Sequence, residues 1–323
     1  MFGKSETEVL IVGAGPIGMF TALRLAENGV AVEIIDTEWR TAAQSYAGVL
    51  HPASLKLLQQ AGIAGKILEL GRRIDTIAFY EGPSRGAELR LSDLPVEFPF
   101  LLALPQSALE NLLEQKLKTQ YGIKVQWNHR LSDLQPEGER VLASIDKLEE
   151  TAQGYSVPTF EWIVKKRLQT RSAYVVGADG HNSFVRQSLG LDLEYAGHPE
   201  LFAVYEFETD SKCACVEDEV RIVLDESTAN VCWPLPRHRC RWSFQLVGGD
   251  VSSDADAKER TAVVFEQPGF DQVTQEHLHG FIAERAPWFK ASVKAIDWST
   301  AVQFERRVAR SFGRDHCWLV GDA

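Results

Sequence analysis

Val9-Leu10-Ile11-Val12-Gly13-Ala14-Gly15-Pro16-Ile17-Gly18 begins the first patterned segment of the chain, and Val30-Ala31-Val32-Glu33-Ile34-Ile35-Asp36 completes it. Four successive branched or long apolar residues fit a strand covered on both faces of a parallel sheet. The glycines that follow have the G-x-G-x-x-G spacing. Gly13 permits a tight turn, Gly15 lets the backbone approach a pyrophosphate, and Gly18 lets the following helix lie against the strand. Pro16 and Ile17 sit at the helix start, where N–H groups and the positive dipole end favour phosphate. Gly29 ends that helix, and the second strand closes on Asp36, 18 residues after Gly18. A carboxylate there can accept both hydroxyls of an adenosine ribose. Glycines serving only tight packing are the competing reading, ranked lower because strand, helix, second strand and acidic end are all in order. NAD and FAD use the same device, so this stretch alone leaves the dinucleotide open.

A chain of 323 residues can hold two packed domains or one large α/β unit. Its net charge of −11 argues against a non-specific nucleic-acid binder. No apolar run approaches the roughly 20 residues of a membrane span, and residues 1–8 are polar and acidic, without the apolar core of a secretion signal. Five cysteines, Cys213, Cys215, Cys232, Cys240 and Cys317, are odd in number and scattered. Cys213 and Cys215 have no partner pair at zinc-site spacing, so no metal is expected, and reduced thiols of a cytoplasmic protein are the reading.

Helical spacing marks residues 53–61, opened by Pro52 and ended by Gly62. Residues 74–80 and 88–91 read as a β-hairpin across a Gly-Pro-Ser-Arg-Gly turn, a break in the α/β rhythm. A helix is expected from Pro105 onward, with Ser107 as its N-cap and Leu109, Leu112, Leu113 and Leu117 as its apolar face. Residues 122–127 read as a strand and 131–171 as an antiparallel meander. Ala173 to Val176 is again a buried strand, closing on Gly177-Ala178-Asp179-Gly180. From Leu201 to Val247 four strands recur with tight turns, indicating an antiparallel sheet. A helix over 275–285, a strand over 293–304 and short strands near 308–310 and 317–320 finish the chain. Five of its eight tryptophans (Trp233, Trp242, Trp288, Trp298, Trp318) follow residue 230. Most read as core; some could line an apolar ligand pocket.

Three motifs in order carry a resemblance to flavoprotein monooxygenases of the para-hydroxybenzoate and phenol hydroxylase type. They are the opening βαβ with Asp36, the stretch Gly177-Ala178-Asp179-Gly180-His181-Asn182-Ser183-Phe184-Val185-Arg186, and Leu319-Val320-Gly321-Asp322-Ala323. Asp179 and Asp322 each follow a buried strand beside glycine, at the sheet edge where ligands bind. Carboxylates cannot neutralise a pyrophosphate, and hydroxyls are their better partners. The resemblance adds Gln106 at a helix start as a flavin contact, and Arg186 as the residue that orders the Asp-Gly loop or helps bind the nicotinamide cofactor. Two departures stand out. Tyr46 lies where the family often has an arginine, leaving stacking or hydrogen bonding to the flavin but no charge. Relatives also continue beyond Gly-Asp-Ala into Ala-His, a proline and a glycine-rich helix start, so the sequence reads as truncated or as having another segment in that place.

The implied architecture is α/β (α+β overall), a Rossmann-like FAD-binding domain (1–73, 101–190, 305–323) with an inserted antiparallel β-sheet substrate domain (74–100, 191–304). The implied chemistry is hydroxylation of an aromatic or polyketide-like small molecule with NAD(P)H and O2 through a flavin C4a-hydroperoxide. Its cofactor-binding set is Gly13, Gly15, Pro16, Ile17, Gly18, Asp36, Tyr46, Gln106, Asp179, Gly180, Arg186, Gly321 and Asp322. No catalytic base can be named: His51, Tyr205 and His238 are candidates by type only, and a structural role is the better reading of each. Alternatives on the same scaffold are a halogenase, disfavoured because Cys232-Trp233-Pro234-Leu235-Pro236 does not match the Trp-x-Trp-x-Ile-Pro signature, a prenyl reductase, or a non-catalytic flavin-binding or assembly subunit. An NAD-dependent dehydrogenase is disfavoured by the second and third motifs.

Overall fold

Strand β1 (Lys4–Val12) passes through three turn residues into α1 (Pro16–Glu27), and β2 (Val32–Ile35) returns parallel to β1. The computed structural model describes residues 4–40, 48–153, 159–210, 218–247 and 273–323. Next come β3 (Val49–Leu50), α2 (Pro52–Gln60), α3 (Ala64–Leu70), β4 (Arg72–Ile74), the hairpin β5 (Thr76–Glu81) and β6 (Ser84–Arg90), and β7 (Leu101–Ala103). Helix α4 (Gln106–Tyr121) leads to the meander β8 (His129–Glu137), β9 (Arg140–Gln153) and β10 (Thr159–Gly177), then α5 (Phe184–Ser188) and β11 (Leu193–Tyr195). The remainder is β12 (Glu200–Glu208), β13 (Glu219–Leu224), β14 (Ala229–Leu235), β15 (Arg239–Leu246), α6 (Gln275–Arg285), β16 (Ala295–Phe304), β17 (Arg307–Ala309), β18 (Gly313–Arg314) and β19 (Cys317–Leu319).

Two compact units result, one of Met1–Tyr46, Gln106–Glu194 and Val308–Ala323, the other of Ala47–Pro105 and Tyr195–Arg307. In the first, β19, β10, β1 and β2 lie side by side and parallel, with β18 antiparallel at the β19 edge and β9 and β8 joined antiparallel to β10. Leu10 and Ile11 point to opposite faces, and both are fully buried. Met19, Ala22 and Leu23, at helical i, i+3, i+4 spacing, are fully buried along α1. Full burial of a Met or Leu side chain is worth about 1.5–3 kcal/mol, which fixes the helix on its strand.

The second unit is a seven-stranded sheet, β16-β12-β15-β14-β13-β5-β6, and a small sheet, β3-β7-β4. The β5–β6 hairpin joins the later strands through a parallel pairing of β5 with β13. Tyr205, Phe207, Trp242 and Phe244 are fully buried on one face, in a cluster with Leu278, Ala286 and Phe289 from the α6 region.

Four local expectations change. The expected strand over 122–127 is a single parallel bridge, Ile35↔Gln126, because Asn128 (φ 59°) turns the chain straight into β8. Helix α4 starts at Gln106, so Ser107 lies inside its first turn rather than capping it. The β5–β6 turn narrows to Gly82 and Pro83, and Ser84, Arg85 and Gly86 belong to the strand. Residues 47–73, 101–105 and 305–307, expected with the nucleotide-binding part, cluster with the second unit, and 191–194, expected with the inserted part, cluster with the first. For 47–73 and 101–105 the cause is that β3 and β4 both pair with β7, and Ile74, Leu101 and Ala103 pack with Val220 and Leu235.

Candidate functional site

The parallel strands of the first unit end level with one another. Val12 of β1 is in register with Ile35 of β2 and Gly177 of β10, and Gly177 is in register with Leu319 of β19. The three sequence motifs and Asp36 therefore leave the sheet together at its carboxyl edge. Cross-links pin the exits: Gly13 N–H donates to the Ile35 carbonyl (2.9 Å), Ala178 N–H to that of Val12 (2.7 Å) and Val320 N–H to that of Gly177 (2.9 Å).

The three glycines of the first turn differ in what requires them. Gly13 has φ +101°, and a Cβ there would lie 2.3 Å from the Ala178 carbonyl oxygen. A Cβ on Gly18 would lie 1.9 Å from the Gly13 carbonyl oxygen. Gly15 has ordinary extended backbone (φ −68°, ψ −179°), and a Cβ there would meet nothing within 4 Å. Neither strain nor protein packing explains the third glycine, whereas a ligand approaching the backbone does. It is also the N-cap of α1, which carries no side-chain cap; Met19 N–H donates to the Gly15 carbonyl and closes the first turn. Pro16 supplies no N–H, so the groups available to an anion start at Ile17 and Gly18. These features fit a dinucleotide.

Asp36 lies against the same turn. Its carboxylate accepts from Ala14 N–H (2.5 Å) and Glu38 N–H (2.8 Å), so it braces the loop whose glycines form the cradle. Burial pushes its pKa above the ordinary aspartate value, and the charge of Asp179 adds to this, while the backbone N–H groups of Ala14, Glu38 and Thr37 oppose it.

Asp179 has a fuller set of bonds than its sequence shows. It accepts from the Ser183 hydroxyl (2.6 Å) and from the N–H groups of Phe184 (2.7 Å) and Val185 (3.1 Å), holding the start of α5. Gly180 takes φ +76° to turn the chain there. Buried Arg186 donates to the His181 carbonyl (2.9 Å), which places it in the ordering of this loop. Ser183, fully buried, also accepts from Arg186 N–H (2.9 Å); its part was visible only in the Asp-x-x-x-Ser spacing. Gly321 (φ +67°) stands so near Ile17 that an added Cβ would be 3.3 Å from its side chain, joining the last motif to the first. Asp322 is exposed. Gln106, in the first turn of α4, donates to Glu110 (2.7 Å), a buried carboxylate that the sequence reading did not single out. Tyr46 lies outside the described residues, as do Cys213 and Cys215.

Tyr205, His238 and His51, weighed by type, lie in three different settings. Tyr205 is fully buried, and burial raises its phenol well above the ordinary value. His238 (φ 57°) forms the β14–β15 turn, its carbonyl accepting from Thr209 N–H and hydroxyl. His51 is the exposed N-cap of α2, with no side-chain cap bond. Trp242 is core, Trp288 stacks on Tyr80 (4.7 Å), Arg241 lies over Trp298 (5.6 Å), Trp233 packs against the cluster that contains Leu235 and Val220, and Trp318 is 54 % exposed. Among the described residues no group of three or more metal-ligating side chains occurs, and no helix is long and apolar enough to cross a membrane.

A parallel sheet whose carboxyl edge presents a glycine-cradled helix start and three carboxylates defines a dinucleotide-binding protein. The model of the FAD binding domain family matches residues 6–323, and the chain belongs to that family. It is 24 % identical to pentachlorophenol 4-monooxygenase of Sphingobium chlorophenolicum over 99 % of this chain and 54 % of that protein. It is 29 % identical to rifampicin monooxygenase of Streptomyces venezuelae over 98 % of this chain and 58 % of the relative. The fold matches that of p-nitrophenol 4-monooxygenase from Pseudomonas putida DLL-E4 with a TM-score of 0.77 at 19 % identity, over 99 % of this chain and 73 % of that one. The chain spans about half the length of the curated relatives it matches. Its fold is the two-domain one of FAD-binding monooxygenases, a Rossmann-like part with an inserted β-sheet part, and FAD is the family's cofactor.

Proposed function

We propose that the chain is the flavin- and substrate-binding portion of a monooxygenase that hydroxylates an aromatic or polyketide-like small molecule, using NAD(P)H and O2 in the cytoplasm. The observation that carries the reading is the level ending of the parallel strands, which gathers the Gly13–Gly18 turn, Asp36, the Asp179 loop and Gly321-Asp322 at one edge. When bound, FAD supplies the redox chemistry: it takes two electrons from NAD(P)H and passes one oxygen atom of O2 to the substrate, the other leaving as water.

The protein's own residues bind and orient. Ile17 and Gly18 would offer N–H groups to the pyrophosphate, with Gly15 leaving room for it and Pro16 fixing the helix start. Asp36 accepts the adenosine ribose hydroxyls with the lone pairs not used by Ala14 and Glu38. Asp179 and Gly180 shape the loop beside it, Arg186 orders that loop, and Gly321 with Asp322 meets the ribityl chain. Gln106 and Tyr46, the latter outside the described residues, would be further partners of the flavin. The first unit is the FAD-binding domain and the second the substrate domain, with the antiparallel sheet recognising an apolar ring. Relatives that act on pentachlorophenol, rifampicin and p-nitrophenol support an aromatic substrate class.

Absorption spectra of the purified chain with and without added FAD test the first half: perturbed flavin bands are expected, and their absence at every FAD concentration refutes it. NAD(P)H consumption stimulated by an aromatic compound, with 18O from O2 entering the product, tests the second. Bound flavin with no substrate-dependent NAD(P)H oxidation, even when the remainder of a longer protein is supplied, favours the flavin-binding subunit instead.

A further inference from the structure

The buried residues of α4 are Leu109, Leu113, Leu117 and, among these leucines, Glu110, which is 2 % exposed. A carboxylate taken out of water is costly unless hydrogen bonds replace its hydration, so packing alone would be served better by another apolar residue. An acidic residue near a helix N-terminus gains from the dipole, but an exposed glutamate gains equally, and the burial stays unexplained. What accompanies the burial is a bond to the first residue of the helix. Gln106 and Glu110 stand four apart, on one face of α4. The Gln106 amide nitrogen donates to Glu110 Oε1 at 2.7 Å, within the range of a charge-assisted bond.

That bond has a direction. A glutamine amide has a donor end and an acceptor end of nearly the same shape, and half a turn about its last bond exchanges them. An ionised carboxylate only accepts, so it holds the nitrogen end toward itself and turns the carbonyl oxygen the other way. We propose that Glu110 is a positioning residue for the cofactor. By fixing the Gln106 amide in this orientation, it makes Gln106 present an acceptor to the flavin, suited to a ribityl hydroxyl or a ring N–H and not to the ring carbonyl oxygens. The inference rests on Gln106 being a flavin partner, as proposed above, and adds the polarity of that contact and the residue that sets it.

Glu110→Gln keeps the size of the side chain but can meet either end of the Gln106 amide, so the orientation is no longer fixed. Fluorescence titration of the full chain with FAD should show Gln106→Ala weakening binding about tenfold and Glu110→Gln about fivefold. In the Gln106→Ala background, Glu110→Gln should add less than about twofold, because the group through which it acts is gone. The ligand-free chain gives a readout that needs no flavin. In proton–nitrogen correlation spectra the Gln106 side-chain amide, identified by its loss in Gln106→Ala, should shift in Glu110→Gln. Unchanged affinity in Glu110→Gln beside a weakened Gln106→Ala overturns the positioning role and leaves the flavin reading standing. Equal losses from Glu110→Gln with and without Gln106 overturn it too, since Glu110 would then act on the fold. If Glu110→Gln does not fold, Glu110→Asp, which keeps the charge but draws it back by one methylene, carries the same cycle. Unchanged FAD affinity in Gln106→Ala removes Gln106 from the cofactor site, and the proposal with it.

Discussion

Gly13 and Ala178 touch backbone to backbone: a Cβ on Gly13 would come within 2.3 Å of the Ala178 carbonyl oxygen, with φ at +101°. The first motif and the Asp-Gly loop are thus one packed object. Gly13→Ala combines a left-handed conformation with a backbone clash and should cost about 3 kcal/mol of stability. Urea unfolding checks this, and a loss under about 1 kcal/mol would contradict the close approach.

Gly15 gives the opposite expectation. Its backbone suits any residue and its Cβ direction is open. Gly15→Val should change stability by no more than about 1 kcal/mol, the scale of an N-cap substitution. It should nevertheless weaken FAD binding by about tenfold or more, since the added side chain fills the space assigned to the pyrophosphate. Flavin fluorescence titration separates the two effects.

Asp36 carries the pH dependence. Burial raises its pKa in the folded chain, so the folded state takes up this proton at a pH where an unfolded aspartate is still ionised. The contribution of this group to the stability of the apoprotein therefore falls as pH rises from the ordinary aspartate value through the raised one. FAD affinity moves the other way, because the ionised carboxylate is the better acceptor for ribose hydroxyls. Titrations from neutral to mildly acidic pH should show weakening binding with a midpoint above the ordinary aspartate value. Asp36→Ala should lower affinity about tenfold or more at neutral pH and remove that dependence.

Asp179 holds α5 by three acceptor bonds to Ser183, Phe184 and Val185. Asp179→Ala should cost about 1–2 kcal/mol, the upper range for a lost cap. Asp179→Asn, which keeps one acceptor oxygen, should recover part of it. Thermal unfolding of both variants without FAD gives the comparison. Equal stability of all three chains would leave the carboxylate with no structural part.

The elements that read well from sequence are those whose pattern is local. Residues 9–36 combine a buried run, a glycine spacing and a helical stripe, and each signal names the same element. The placement of Val49–Leu50 and Arg72–Ile74 was not readable, because strands of two and three residues have no period and acquire identity only from β7. Gln126 shows the same limit: one bridge to Ile35 needs no alternating pattern. At the site, the glycines, Asp36 and Asp179 could be named, but their bonding could not. Which glycine is steric and which is open depends on Ala178, and the burial of Glu110 beside Gln106 depends on how α4 is covered.

The pairing of Lys4 with Gln169 joins residues 165 positions apart, and Cys317 meets Val175 after a further long excursion. During synthesis, the apolar strand Val9–Val12 and its glycine turn therefore emerge long before Ala178 exists to lie against them. Non-local parallel pairings of this kind form slowly and leave unfinished edges exposed while they wait. The nascent amino-terminal segment lacks Ala178, against which Gly13 packs, so the assembled cradle requires completion of β10.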